Sequence, residues 1–211
     1  MRPYEKNPSA IYKKSFKIAA SEANMERFPV GLREIVLRLV HACGMPEIAD
    51  RISFSDGAFK AGFDALQKGA PILCDCEMVK AGITSRYLPI QTKVITTLND
   101  PRTESIAKSI SNTRSAAAVE LWKNNIEGGI VCIGNAPTAL FHLLELLEKG
   151  WPRPALILGF PVGFVGAAES KAELAKSNLG LSFITLKGRR GGSALASAAV
   201  NALSVSLKKN E

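Results

Sequence analysis

From about residue 70 onward, short apolar runs rich in β-branched residues alternate with segments of helical period. The runs at 72–75, 94–98, 130–133, 155–159 and 183–186 predict five strands. Helices are predicted at 103–110, 113–125, 137–149, 167–177 and 193–207, with a weaker one after the first strand. Strands apolar on both faces and separated by helices specify a mostly parallel sheet covered on two sides. Right-handed crossovers then give a three-layer α/β/α sandwich. The first 70 residues read as mainly helical, with no clear strand. Within them Leu32, Ile35, Val36, Leu39, Val40 and Cys43 recur at helical spacing and mark one apolar face. No repeat, low-complexity stretch or linker interrupts the chain, so one domain is expected over 1–211. In that reading 1–70 is a helical N-terminal region and 71–211 the parallel-sheet core.

Composition narrows the class. With 46% hydrophobic and 22% charged residues, the chain is ordinary for a folded protein. No apolar run approaches the ~18 residues that span a bilayer, and the first residues, Met-Arg-Pro-Tyr-Glu-Lys-Asn-Pro, lack an apolar signal core. A cytoplasmic protein is expected. Cys43, Cys74, Cys76 and Cys132 form no C-x-x-C pair and read as buried free thiols. Only His41 and His142 are present, so no histidine-based metal site is expected. The formal charge is +8, but the basic residues are scattered. The one tight cluster beyond the N-terminal arm, Lys187-Gly188-Arg189-Arg190, has no aromatic platform beside it. That distribution suits a polyanionic small molecule better than nucleic acid or a membrane surface.

Open parallel sheets bind ligands outside the carboxyl ends of their strands. Three corners there contain glycine and open helices: Gly134-Asn135-Ala136-Pro137, the stretch from Gly159 to Gly166, and Gly188-Arg189-Arg190-Gly191-Gly192-Ser193. Such helix starts favour anions, and Asn135 and Asn112 are expected as N-caps. Neither G-x-G-x-x-G nor the P-loop string occurs, which argues against a nucleotide. Arg114, in the first turn of its helix, places a cation at the positive end of the macrodipole, an arrangement that a bound carboxylate would justify. His41 falls opposite the apolar stripe of its helix, beside Leu37 and Arg38, and so faces a second surface: a pocket, a subunit contact or solvent. His142, with Glu145 and Lys149 on the polar side of its helix, is expected to be solvated. No G-x-S-x-G elbow frames Ser193, and no histidine lies near Cys74-Asp75-Cys76 in sequence to make a thiolate.

Five strings carry a resemblance. They are Ala10-Ile11-Tyr12-Lys13-Lys14-Ser15-Phe16, Arg38-Leu39-Val40-His41-Ala42-Cys43-Gly44, Asn112-Thr113-Arg114-Ser115-Ala116-Ala117, Gly134-Asn135-Ala136-Pro137-Thr138-Ala139-Leu140, and Pro-Val-Gly-Phe-Val-Gly-Ala-Ala-Glu-Ser-Lys at 161–171. Through them nearly the whole chain resembles the precorrin-8X methylmutase family of cobalamin biosynthesis. The resemblance implies an α/β homodimer without cofactor or metal. The reaction implied moves a methyl group from ring carbon 11 to ring carbon 12, turning precorrin-8X into hydrogenobyrinate. His41 matches the family's catalytic histidine, Ser15 and Arg38 its substrate contacts, and Thr84 and Arg114 are further contacts that it suggests. A cobalt-bearing substrate of the anaerobic branch is the alternative, and a non-catalytic corrinoid carrier the rival from another class. Hand-over of product to the next pathway enzyme would add a partner.

Overall fold

The computed structural model describes residues 2–209. Two helices come first. At the start of α1 (Pro8–Glu22) the Asn7 side chain accepts from the N–H groups of Ser9 and Ala10, and Pro8 occupies the first turn, where no N–H is needed. α2 (Val30–Cys43) is stopped by Gly44, whose φ of 67° lies in the left-handed region and whose N–H closes on the Val40 carbonyl. Its stripe of Leu32, Ile35, Val36, Leu39 and Val40 is buried as the spacing predicts. A 3-10 turn (Pro46–Arg51) leads into β1 (Ile52–Phe54), and α3 (Ala58–Gln67) follows.

Beyond residue 70 the expected alternation is present: β2 (Ile72–Cys74), α4 (Glu77–Gly82), β3 (Val94–Thr96), α5 (Thr103–Ser109), α6 (Arg114–Glu120) and β4 (Ile130–Ile133). Then come α7 (Pro137–Glu148), β5 (Leu156–Gly159), α8 (Ala167–Lys176), β6 (Phe183–Leu186) and α9 (Ser193–Lys209). Strand order in the sheet is β1-β6-β5-β4-β2-β3. Every pairing among β2 to β6 is parallel, and only β1 runs antiparallel, with Ile52 opposite Leu186 and Phe54 opposite Ile184. The sheet therefore has six strands rather than five. Ile-Ser-Phe is too short for a period of two to show in sequence, and the pairing that makes it a strand comes from β6, far along the chain.

Alternate residues of the strands face opposite layers, as the pleat requires. Ile72, Cys74, Ile130, Cys132, Leu156, Leu158 and Ile184 pack toward α2, α3, α4 and α9, with α9 the helix against which the other three lie. Leu73, Val131, Ile133, Ile157 and Phe183 pack toward α6, α7 and α8. The helix expected at 113–125 stops at Glu120. There the buried Trp122 turns back so that its Nε1 donates to Thr97 Oγ1 at 3.0 Å, tying the segment to the end of β3.

Candidate functional site: a histidine on an open cationic face

Between β2 and β4 the order of the parallel strands reverses, which is where such sheets usually receive ligands. In this chain that crevice is occupied from within. Asp75, buried at the end of β2, accepts from Gly134 N–H at 2.9 Å on one oxygen, and from Asn135 and Ala136 N–H at 2.9 and 2.8 Å on the other. Burial pushes the carboxyl pKa up, and the three N–H groups oppose that shift. Asn135 is thus not the cap expected of it. Ala136 holds the cap position without a side-chain bond, because the acceptor arrives from β2. The other two corners are likewise knitted together: Gly192 N–H donates to Phe160 O at 2.8 Å, and Gly163 N–H to Arg189 O at 3.2 Å. Lys171, buried, donates to the Arg190 carbonyl, and desolvation pushes its pKa down to about 8. The Arg190 side chain meets Glu47 at 2.6 Å and ties this corner to the turn after α2.

Other sequence candidates fall away as nucleophiles. All four cysteines are free, three of them buried and Cys43 half-buried. Desolvation is the first cause raising the pKa of Cys43, Cys74 and Cys132, so these stay thiols. His142 is not solvated as expected. It is 6% exposed and wedged between Glu120 at 2.7 Å and Glu145 at 3.3 Å. The polar stripe of α7 is covered by the end of α6, a packing that the period of α7 alone does not reveal. Asn112 is also not the cap of α6. Thr113 is, accepting from Ala116 N–H at 3.1 Å, while the Asn112 side chain accepts from Thr113 N–H at 2.7 Å.

His41 has a different setting. It stands on the exposed side of α2, and α1 of the same chain lies against it. Ser15 Oγ is 2.9 Å from His41 Nδ1, and the Phe16 ring stacks on the imidazole at 4.7 Å between centroids and 26° between planes. Tyr12, one turn earlier, packs on Phe16 at 4.4 Å, with its ring 6.0 Å from that of His41. Arg38, one turn before His41, donates to the Tyr12 hydroxyl at 2.7 Å and lies 5.6 Å from the Phe16 ring. Four side chains therefore fix the imidazole plane and one nitrogen, while Nε2 has no hydrogen bond among the described residues. Beside it lies a small cavity of about 160 Å³, lined by Ser15, Ile18, Glu22, His41 and Gly44 among others. Sequence reasoning missed Tyr12 and Phe16 as the rings that pack around His41. Their i, i+4 spacing on the same helical turn as Ser15 was the available signal.

Of the other candidates, Thr84 lies just before a short 3-10 turn (Ser85–Tyr87) and is held by its N–H, which donates to Asn201 Oδ1 at 2.8 Å. Arg86, two residues on, lines one groove together with Arg38 and Tyr12. Ser15 and His41 thus meet directly, Arg38 joins them through Tyr12 and Phe16, and Thr84 lies two residues before the groove-lining Arg86. Among the described residues no contact joins Arg114 to them. It begins α6 in the other helix layer, and its guanidinium reaches Leu98 O at 3.1 Å and Asn99 Oδ1 at 3.3 Å. Those backbone and amide oxygens meet the need that the sequence left for an anion.

The architecture and this face define a class: a doubly wound α/β protein whose switch point is closed, and which offers one exposed histidine among aromatic rings and cations. Comparison with known proteins makes it particular. A family model described as precorrin-8X methylmutase matches residues 10–206. A protein of Pseudomonas aeruginosa named precorrin-8X methylmutase is 52% identical over 96% of this chain and 98% of its own length. One of Priestia megaterium named cobalt-precorrin-8 methylmutase is 37% identical over 97% and 90%. The crystal structure of a Thermus thermophilus precorrin-8X methylmutase superposes with a TM-score of 0.85 at 37% identity, covering 95% of this chain and 98% of that one. This chain belongs to the precorrin-8X methylmutase family, whose members are isomerases.

Proposed function

We propose that this protein converts precorrin-8X to hydrogenobyrinate, moving a methyl group from ring carbon 11 to ring carbon 12, as a cytoplasmic homodimer of single-domain chains. The observation that carries the mechanism is the division of labour on His41: Nδ1 is engaged by Ser15, and Nε2 is free on the open face. His41 as imidazolium gives its Nε2 proton to the conjugated macrocycle, which lowers the barrier to migration. The methyl group leaves carbon 11 and bonds to carbon 12 within the same molecule. The rearranged macrocycle then returns the proton to Nε2, and no atom is gained or lost. A serine hydroxyl both donates and accepts, so it serves Nδ1 in either protonation state. Arg38 and Thr84 would receive carboxylate arms. Arg114 belongs to the same proposed set, but it would have to exchange Leu98 and Asn99 for a carboxylate. The higher identity to the relative named for precorrin-8X, 52% against 37%, favours the metal-free substrate over the cobalt-bearing one. No helix among the described residues is long and apolar enough to cross a membrane.

The test is spectroscopic. Purified protein mixed with precorrin-8X should give the spectrum of hydrogenobyrinate, and His41→Ala should bind the product normally while turnover falls ~10²–10⁴-fold. Wild type that binds hydrogenobyrinate without converting precorrin-8X would be a carrier, and the enzymatic reading would fail. A His41→Ala protein that turns over normally would remove the histidine from the mechanism.

A further inference from the structure

A second groove, separate from the cavity beside His41, opens at Tyr12 and Arg38, and its far end has no assigned role. It encloses about 730 Å³ and is lined by Tyr12, Lys13 and Arg38 on one side and by Arg86, Tyr87 and Lys208 on the other, within the ~300–1,000 Å³ typical of small-molecule sites. Each wall pairs an arginine with a tyrosine. Arg38 donates to Tyr12 Oη at 2.7 Å, and Arg86 to Tyr87 Oη at 3.1 Å. On the second wall Lys208 Nζ donates to the Arg86 carbonyl at 2.8 Å, so two cations flank one ring: Arg86 at 4.9 Å and Lys208 at 5.4 Å from its centroid. No aspartate or glutamate is among the residues that line this groove to offset its cations. Lys13, Arg38, Arg86 and Lys208 form no ion pair among the described residues. Four like charges around one concavity repel each other, and a multiply anionic ligand would relieve that repulsion.

We infer that Arg86 and Lys208 form a second carboxylate subsite, which holds acetate or propionate arms of the tetrapyrrole while the ring edge lies against His41. The inference rests on the proposed function and adds residues to it. Tyr12 is the link, since it lines this groove and stands 6.0 Å from the His41 ring.

Absorbance titration with hydrogenobyrinate tests it on wild type, Arg86→Gln, Lys208→Gln and Lys123→Gln. Both groove side chains are exposed, so replacing them should leave the fold intact. Lys123, stacked over Trp151 against the other layer, controls for net charge. Removing a charge-assisted hydrogen bond should weaken binding about tenfold or more in each groove variant, with Lys123→Gln at wild-type affinity. Groove variants that bind as tightly as wild type would overturn the subsite and leave the proposed function standing. So would an equal weakening in Lys123→Gln, which would make the effect one of overall charge. Wild type that fails to bind hydrogenobyrinate would instead overturn the proposed function, and the subsite with it.

Discussion

A hydroxyl and a carboxylate do different things to an imidazole, and this chain contains both cases. His142 lies between Glu120 and Glu145, where two acceptors fix both ring nitrogens. His41 has one nitrogen on Ser15 and the other free. Only the second arrangement leaves a ring nitrogen open to a substrate. In the proposed mechanism Ser15 is therefore the residue that orients the imidazole. One neutral hydrogen bond is worth ~0.5–1.5 kcal/mol, so Ser15→Ala should lower turnover by about two- to tenfold while hydrogenobyrinate affinity stays unchanged. Ser15→Thr, which keeps the hydroxyl, should recover most of the rate. A Ser15→Ala protein with normal turnover and weakened binding would make Ser15 a substrate contact only. At this scale the exposure of His41 was legible, because helical spacing fixed which side of α2 lies away from the core. The burial of His142 was not, since it depends on a carboxylate 22 residues away in sequence.

At the scale of elements, the placement of His41 depends on where α2 ends. Gly44 ends it at a φ of 67°, and a Cβ there would meet nothing within 4 Å. Gly44→Ala should therefore cost only the backbone penalty of the left-handed region, about 1 kcal/mol, or ~2–4 °C in Tm. Thermal unfolding at an unchanged Tm would mean that the turn relaxes into another conformation. The helices could be read from sequence by their period, and the parallel strands as short apolar runs between them. Caps and short strands could not. β1 is three residues paired to a strand near the other end of the chain, and the caps of α6 and α7 were each misplaced by one residue. At α7 the reason is visible, since an aspartate from β2 had taken over the work of the cap.

For the whole molecule, assembly turns on the apolar residues left at the surface. Ile11, Tyr12 and Ile18 on α1 are 45–46% exposed, and Phe164 and Val165 in the loop before α8 are 83% and 89% exposed. Patches of this kind mark contact surfaces, and they support the proposed homodimer. Light scattering at micromolar concentration should give twice the 22.6 kDa of one chain. A monomer with full activity would sink that proposal. The layered architecture was readable from the order of elements. Which corners remain available to a ligand was not, because Asp75 fills one and hydrogen bonds between the other two close them on each other.

Asp75 has a consequence for how this scaffold could be repurposed. Three backbone donors converge on its carboxylate at the place where other doubly wound sheets hold a phosphate. A nucleotide could not enter here by the addition of a glycine-rich loop alone, because the chain is its own tenant. Adaptation toward nucleotides would have to begin with an eviction. The first substitution, one that removes the aspartate, would leave three donors unmet and weaken the fold until an outside anion arrived. That order of events places an unstable intermediate between this chemistry and the other.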